Sequence, residues 1–315
     1  MIRFDRRLLI VSGKGGVGKS TLVTALGLLA AERGIETLIC EMGENEKIAP
    51  QFGRRASSYC ETPLGVPHLS SIYLDPQESF NDYVRSTLKF ETLWRPVVES
   101  SLIKAFIQAG PGFKELMTLN KLVELERAVK PNGTPKYDLI LLDAPATGHG
   151  LTLFRSPMLV MRGAKAGPIF QKARLIAELL QDEQRTRMHI VTLAEEMPVS
   201  ETLDMVSAIR FDVHIPLGDI VVNAVVPATF APEQAEVLAG LRRAAQTVAI
   251  DQGWGDVRLL DMLAAADQLE GRSRLNAEHI ARLKAKANID TVTLPFIFDV
   301  PWTLASVRKV GGHLA

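Results

Sequence analysis

Short apolar runs separated by stretches of helical periodicity set the frame of this chain. Residues 7–11 (RLLIV) are compact and apolar, fit for a parallel strand buried on both faces. Residues 36–40 (ETLIC) read as a second strand, following the Arg33-Gly34 helix stop. Residues 68–74 alternate enough for another strand, and 137–142, 189–193, 220–225 and 291–296 fit further buried ones. Between them, residues 21–33, 199–211, 232–250 and 276–287 carry helical patterning. Strands alternating with helices predict a doubly wound, mainly parallel α/β sheet. Residues 57–67 are rich in turn formers and predict a surface loop.

The texture changes between residues 76 and 130, where helical periodicity dominates. Phe80, Tyr83, Val84, Thr87 and Leu88 share one face, and Leu102, Ala105 and Phe106 continue the pattern after Pro96. The stretch Gly110, Pro111, Gly112 breaks it, and a new helix runs over 113–129. Such a block predicts a helical insertion or long crossover laid over one end or face of the sheet. The expected organisation is one α/β domain over 1–315, with 76–130 as a helical subdomain within it.

Residues 13–20 (GKGGVGKS) follow the first strand and open the first helix. Gly13, Gly18, Lys19 and Ser20 satisfy the G-x-x-x-x-G-K-[ST] spacing of a P-loop, as in P-loop NTPases. In such a loop, Gly13, Gly15, Gly16, Val17 and Gly18 lend backbone N–H groups to phosphate oxygens, and Thr21 begins the helix whose positive end attracts them. Lys19 reaches the terminal phosphates, and the Ser20 hydroxyl holds Mg²⁺. Lys14 is a second lysine that cannot easily share the Lys19 site; it is free to reach a phosphate held by a neighbouring subunit. The loop therefore points to ATP, Mg²⁺ and a dimer.

Bulk properties narrow the field. Of 315 residues 47% are hydrophobic, enough for a large core. The 36 basic and 36 acidic residues cancel, which argues against nucleic-acid binding by charge alone. No apolar run approaches the roughly 20 residues of a membrane span, and the first strand begins too early for a signal peptide; a cytoplasmic protein without stable membrane insertion is expected. Cys40 and Cys60 lie far apart with no paired histidines, which disfavours a zinc site within the chain.

Residues 139–149 (LILLDAPATGH) place Asp143 at the carboxyl end of a strand, where ligands bind in open α/β sheets. A carboxylate there helps hold Mg²⁺, although an aspartate so placed can also simply cap a helix. Pro145 and Gly148 predict a flexible connector after it.

Taken together, the doubled-lysine loop, 143–149, 194–203 (AEEMPVSETL) and 221–227 (VVNAVVP) resemble the arsenite-pump ATPase (ArsA) family. Residues 110–117 (GPGFKELM) also resemble a helix-opening segment of that family, and the similarity runs from residue 8 to about residue 300. The family includes the cytosolic ATPases that target tail-anchored membrane proteins. The resemblance implies a P-loop ATPase acting as a homodimer or with a paralogue, and a hydrophobic client protein. It makes Lys14 the signature lysine of a deviant Walker A loop, contacting nucleotide across the dimer. Asn223 matches the adenine-reading asparagine, an amide being able to pair with the base edge, although a turn asparagine is the competing reading. Pro295 and Phe296 fall where the family packs a loop against the base.

The chain also departs from the pattern. Glycine, Gly43, stands where the family has the aspartate that orients the attacking water. Glu41 and Glu44 are the candidate substitutes, with two solvated surface acids as the alternative. The zinc-bridging C-x-x-C and the metalloid cysteine cluster are both missing. Phe106, Ile107, Phe113, Leu116, Met117 and Leu119 are candidates for a client groove, or else core. Residues 154–161 are placed to transmit motion. Rival readings are a MinD/ParA-like positioning ATPase, an iron–sulfur ATPase, and a nucleotide switch with little hydrolysis. The first needs an amphipathic C-terminal helix, and 304–315 reads as a poor one broken by Gly311 and Gly312.

Overall fold

Apolar strands sandwiched between helices build the molecule outward from its sheet. The structure is a computed structural model and describes residues 2–43, 45–56, 59–87, 112–163, 166–228, 230–251 and 257–314. Eight strands form one sheet: β1 (Leu8–Gly13), β2 (Thr37–Glu41), β3 (Thr62–Pro63), β4 (Leu69–Tyr73), β5 (Leu139–Asp143), β6 (Thr186–Leu193), β7 (Leu217–Val225) and β8 (Thr291–Pro295). Their order is β3-β4-β2-β5-β1-β6-β7-β8. Every pairing is parallel except that of β3 with β4. The expected doubly wound, mainly parallel P-loop NTPase-type sheet is the observed one.

Successive residues of β1 serve opposite layers, as the pleat requires. Leu8 and Ile10 join one hydrophobic cluster, while Leu9 and Val11 join the other. The Leu9 face is covered by α1 (Lys19–Glu32) and the C-terminal helix α10 (Leu304–Gly312). The Leu8 face carries α3 (Pro76–Thr87), α4 (Phe113–Arg127), α5 (Thr147–Gly163), α6 (Pro168–Gln181) and α7 (Glu196–Ala208). The short α2 (Ile48–Gln51) follows β2, and α8 (Pro232–Asp251) and α9 (Val257–Ala287) connect β7 to β8.

Several expectations are revised. The surface loop over 57–67 contributes the two-residue edge strand β3, paired through Thr62 and Ser71. The connector after Asp143 is only three residues long, because α5 begins at Thr147 and runs through Pro157. The helix expected over 276–287 starts 19 residues earlier, at Val257. Helix α7 passes into a π-helical turn over Ile209–Val213. Gly311 and Gly312 do not break the last helix; Thr303 and Ser306 cap it, and Val307 and Val310 are buried in the cluster with α1.

Among the client-groove candidates, Leu116, Met117 and Leu119 are fully buried, so in this structure they are core. Phe113 is half-buried against Phe80, ring centroids 6.0 Å apart. Phe106 and Ile107 lie outside the described residues. Phe154 is likewise core, while Leu159 on the same helix is exposed. Among the described residues no helix is long and apolar enough to cross a membrane.

A buried charge fixes α4 to the sheet. Glu126 accepts two hydrogen bonds from Arg185 (3.2 and 2.6 Å), and Arg7 stands 3.8 Å away. Removing one partner of such a pair strands the other charges. Glu126→Ala should therefore destabilise the fold by about 3 kcal/mol, read by urea unfolding.

Candidate functional site

Parallel strands deliver their carboxyl ends to one edge of the sheet, and the P-loop leaves β1 there. Two glycines make the turn possible. At Gly13 (φ 148°) a Cβ would lie 2.2 Å from the Val191 carbonyl oxygen of β6. Gly18 caps α1 in the left-handed region (φ 95°), where a Cβ would meet the Asn223 amide at 2.2 Å. Neither position accommodates a side chain.

The loop closes on its own lysine. The Lys19 ammonium donates to the carbonyl oxygens of Gly13 (3.0 Å) and Lys14 (2.8 Å). Val17 is buried beneath the loop, and its carbonyl accepts from the Asn223 amide at 2.9 Å. Asn223 thus buttresses the loop in this structure. Pro295 ends β8 on the same edge, and Phe296 follows it, against Phe298 and beneath Arg272.

The Ser20 hydroxyl donates to Asp143 Oδ2 at 2.6 Å, while Asp143 Oδ1 is buried without a partner. Burial raises the Asp143 pKa, against the pull of Ser20, Lys19 and Lys47. Burial likewise lowers that of Lys19, with Asp143 opposing and Lys47 assisting. Burial thus works against the charged form of each, and the Ser20 bond and the mutual attraction of Lys19 and Asp143 offset it only in part. A hydroxyl and an orphaned carboxylate oxygen side by side suit a hard divalent cation such as Mg²⁺, and the loop amides with Lys19 suit a phosphate chain.

A cavity of about 660 Å³ opens here, lined by Gly15, Gly16, Lys19, Ser20, Thr21 and Asp143 among others. A larger one, about 900 Å³, lies by Arg187, Gly218 and Asp290, at the opposite ends of the strands. The smaller cavity is the candidate site, because ligands of open α/β sheets bind outside the carboxyl ends.

Two predicted site residues have unexpected partners. Lys14 forms an ion pair with Glu201 of α7 at 2.7 Å. Glu41 is buried and turned onto the following segment: its carboxylate accepts from the backbone N–H groups of Lys47 (2.8 and 3.0 Å) and Ile48 (3.0 Å). It caps α2 and is not a solvated surface acid. Glu44 lies outside the described residues. Sequence reasoning missed Lys47, Lys114 and Glu115, all of which line the cavity. Only the GPGFKELM segment carried a signal for the last two. Among the described residues no group of three or more His, Cys, Asp and Glu gathers as a metal cluster. Cys40 is buried within β2, where desolvation pushes its thiol far above the usual range.

Glu41 makes stability depend on pH. Burial raises its pKa from 4.5 to about 7, opposed by the bonds from Ile48 and Lys47 and assisted by Asp143. The folded chain therefore holds a proton that the unfolded chain has released between pH 4.5 and 7. That contribution is full below pH 4.5 and is lost as pH rises through about 7. In chelator and without nucleotide, melting curves of wild type and Glu41→Gln should show the wild-type advantage shrinking as pH rises across this window.

The family profile described as "Anion-transporting ATPase" matches residues 6–166 and 164–278. ATPase BagA of Mycobacterium tuberculosis is 28% identical over 287 residues, covering 90% of this chain and 82% of that protein. ATPase ASNA1 homolog 1 of Paramecium tetraurelia is 29% identical over 155 residues, 49% of this chain and 45% of the relative. The putative arsenical pump-driving ATPase of Halobacterium salinarum is 24% identical over 233 residues, 71% of this chain and 36% of its own. The chain belongs to the ArsA-type, anion-transporting ATPase family and is an ATPase.

Proposed function

We propose that the chain is a Mg²⁺-dependent, ATP-hydrolysing dimeric switch whose nucleotide state is passed to its helical layer and from there to a hydrophobic client or partner protein. The observation that carries the reading is the pairing of Ser20 with a half-satisfied, buried Asp143 beside a loop already folded around Lys19. Mg²⁺, held by Ser20 and Asp143, would supply charge neutralisation for the phosphates. The chain's own groups do the rest. Loop amides and Lys19 bind the phosphate chain, and Lys19 exchanges two loop carbonyls for phosphate oxygens.

Magnitudes favour a movable Lys14. Its ion pair with Glu201 is between side chains 31% and 36% exposed, a type worth roughly 0–1 kcal/mol. A phosphate across a dimer interface carries more charge and less water, so releasing Glu201 is a small cost. Residues 1–315 then act as one ATPase domain, and 76–130 as its nucleotide-responsive part.

A second reading, a switch with little hydrolysis, has one observation behind it: Glu41 is occupied as a helix cap while Gly43 offers no carboxylate. A MinD-like membrane role is disfavoured by α10, whose apolar side is spent on α1. Steady-state ATP hydrolysis with and without Mg²⁺ separates the readings. Turnover should require Mg²⁺ and fall about 100-fold or more in Lys19→Ala. Sizing with a non-hydrolysable ATP analogue should give a dimer that Lys14→Ala weakens while nucleotide binding persists. Turnover unaffected by Lys19→Ala would refute the active-site assignment.

A further inference from the structure

The cavity at the P-loop has a wall that the strand ends do not supply. Lys114, Glu115 and Thr118, from the start of α4, line it together with Lys19, Gly43 and Asp143. Helix α4 enters through Gly112 in the left-handed region (φ 88°) without a side-chain cap, and its first internal bond runs from Leu116 N–H to Gly112 oxygen at 3.0 Å. Leu116, Met117 and Leu119 are buried, so core packing sets where this first turn lies.

Three described carboxylates line the cavity: Glu41, Glu115 and Asp143. Asp143 is engaged by Ser20, and Glu41 by the backbone of Lys47 and Ile48. Glu115 has no hydrogen bond or ion pair among the described residues, and it is half-buried. Gly43 lines the same cavity, and a Cβ there would meet nothing within 4 Å. An unengaged carboxylate facing a space wide enough for water is what hydrolysis requires and what residues 41–43 do not provide.

We propose that Glu115 is the carboxylate that orients the attacking water, so that the first turn of α4 completes the catalytic site. The proposal rests on the cavity's being the ATP site. In the step, the water oxygen bonds to the γ-phosphorus as the bond to the β–γ bridging oxygen breaks. ADP leaves with that oxygen. One water proton stays on the inorganic phosphate, and the other passes through the Glu115 carboxylate to solvent. Because the carboxylate belongs to the helical layer, hydrolysis runs only while α4 is docked against the sheet.

The test uses the full chain with Mg²⁺-ATP and compares Glu115→Gln, Glu44→Gln and Lys19→Ala. Glu115→Gln should lower kcat on the order of 100-fold, with the affinity for a fluorescent ATP analogue and the melting temperature unchanged. A purely structural Glu115 would instead lower melting temperature or affinity together with kcat, and that result overturns the proposal. So does a Glu115→Gln chain with wild-type kcat, or turnover lost in Glu44→Gln but kept in Glu115→Gln. A wild-type chain that neither binds nor hydrolyses ATP refutes the ATP-site reading itself, an outcome distinct from all of these.

Discussion

The Ser20–Asp143 hydrogen bond sits where three ionisable groups meet, and the site is organised around them. Asp143 and Glu41 end the neighbouring strands β5 and β2 and are buried there, and half-buried Lys19 lines the same cavity from the start of α1. Desolvation works against each, raising both acids and lowering the lysine. Loop carbonyls, one hydroxyl and the α2 backbone satisfy part of this need and leave Asp143 Oδ1 unmet. A divalent cation with a phosphate chain, as proposed, would complete it.

That constraint explains the glycines as well. β1 is flanked by β5 and β6, so the chain leaving Gly13 must turn beneath the Val191 carbonyl, and it must enter α1 through a left-handed residue over Asn223. Asn223 then holds Val17 from below. The loop is shaped by its neighbours in the sheet, so nucleotide binding as proposed would not also have to fold it.

The parts of this architecture that depend on local order were legible in the amino-acid sequence. β1 and β5 are unbroken apolar runs because both faces are covered, and the P-loop spacing is a property of eight consecutive residues. Contacts made at long separation could not be assigned from local order, even where a segment such as 110–117 stood out. Lys14 meets Glu201 187 positions away, and Glu115 reaches the cavity only because α4 packs back over the strand ends. The first half of α9 escaped for a different reason. From Asp261 to Leu275 only Leu263 is buried, so no apolar stripe marks the helix. The two-residue β3 is too short to have a period.

The position of α4 also bears on how nucleotide state travels. Its first turn lines the cavity, while its next turns bury Leu116, Met117 and Leu119 in the same cluster as Phe80, Val84 and Phe154. Close-packed cores shift as units rather than deform gradually. A displacement of Lys114 or Glu115 by phosphate would therefore be handed to α3 and α5 through contacts already made, with no separate relay needed. The Glu126–Arg185 pair at the far end of α4 ties that end to the start of β6. If the cavity takes ATP as proposed, movement that begins there would pivot about this anchored end of α4.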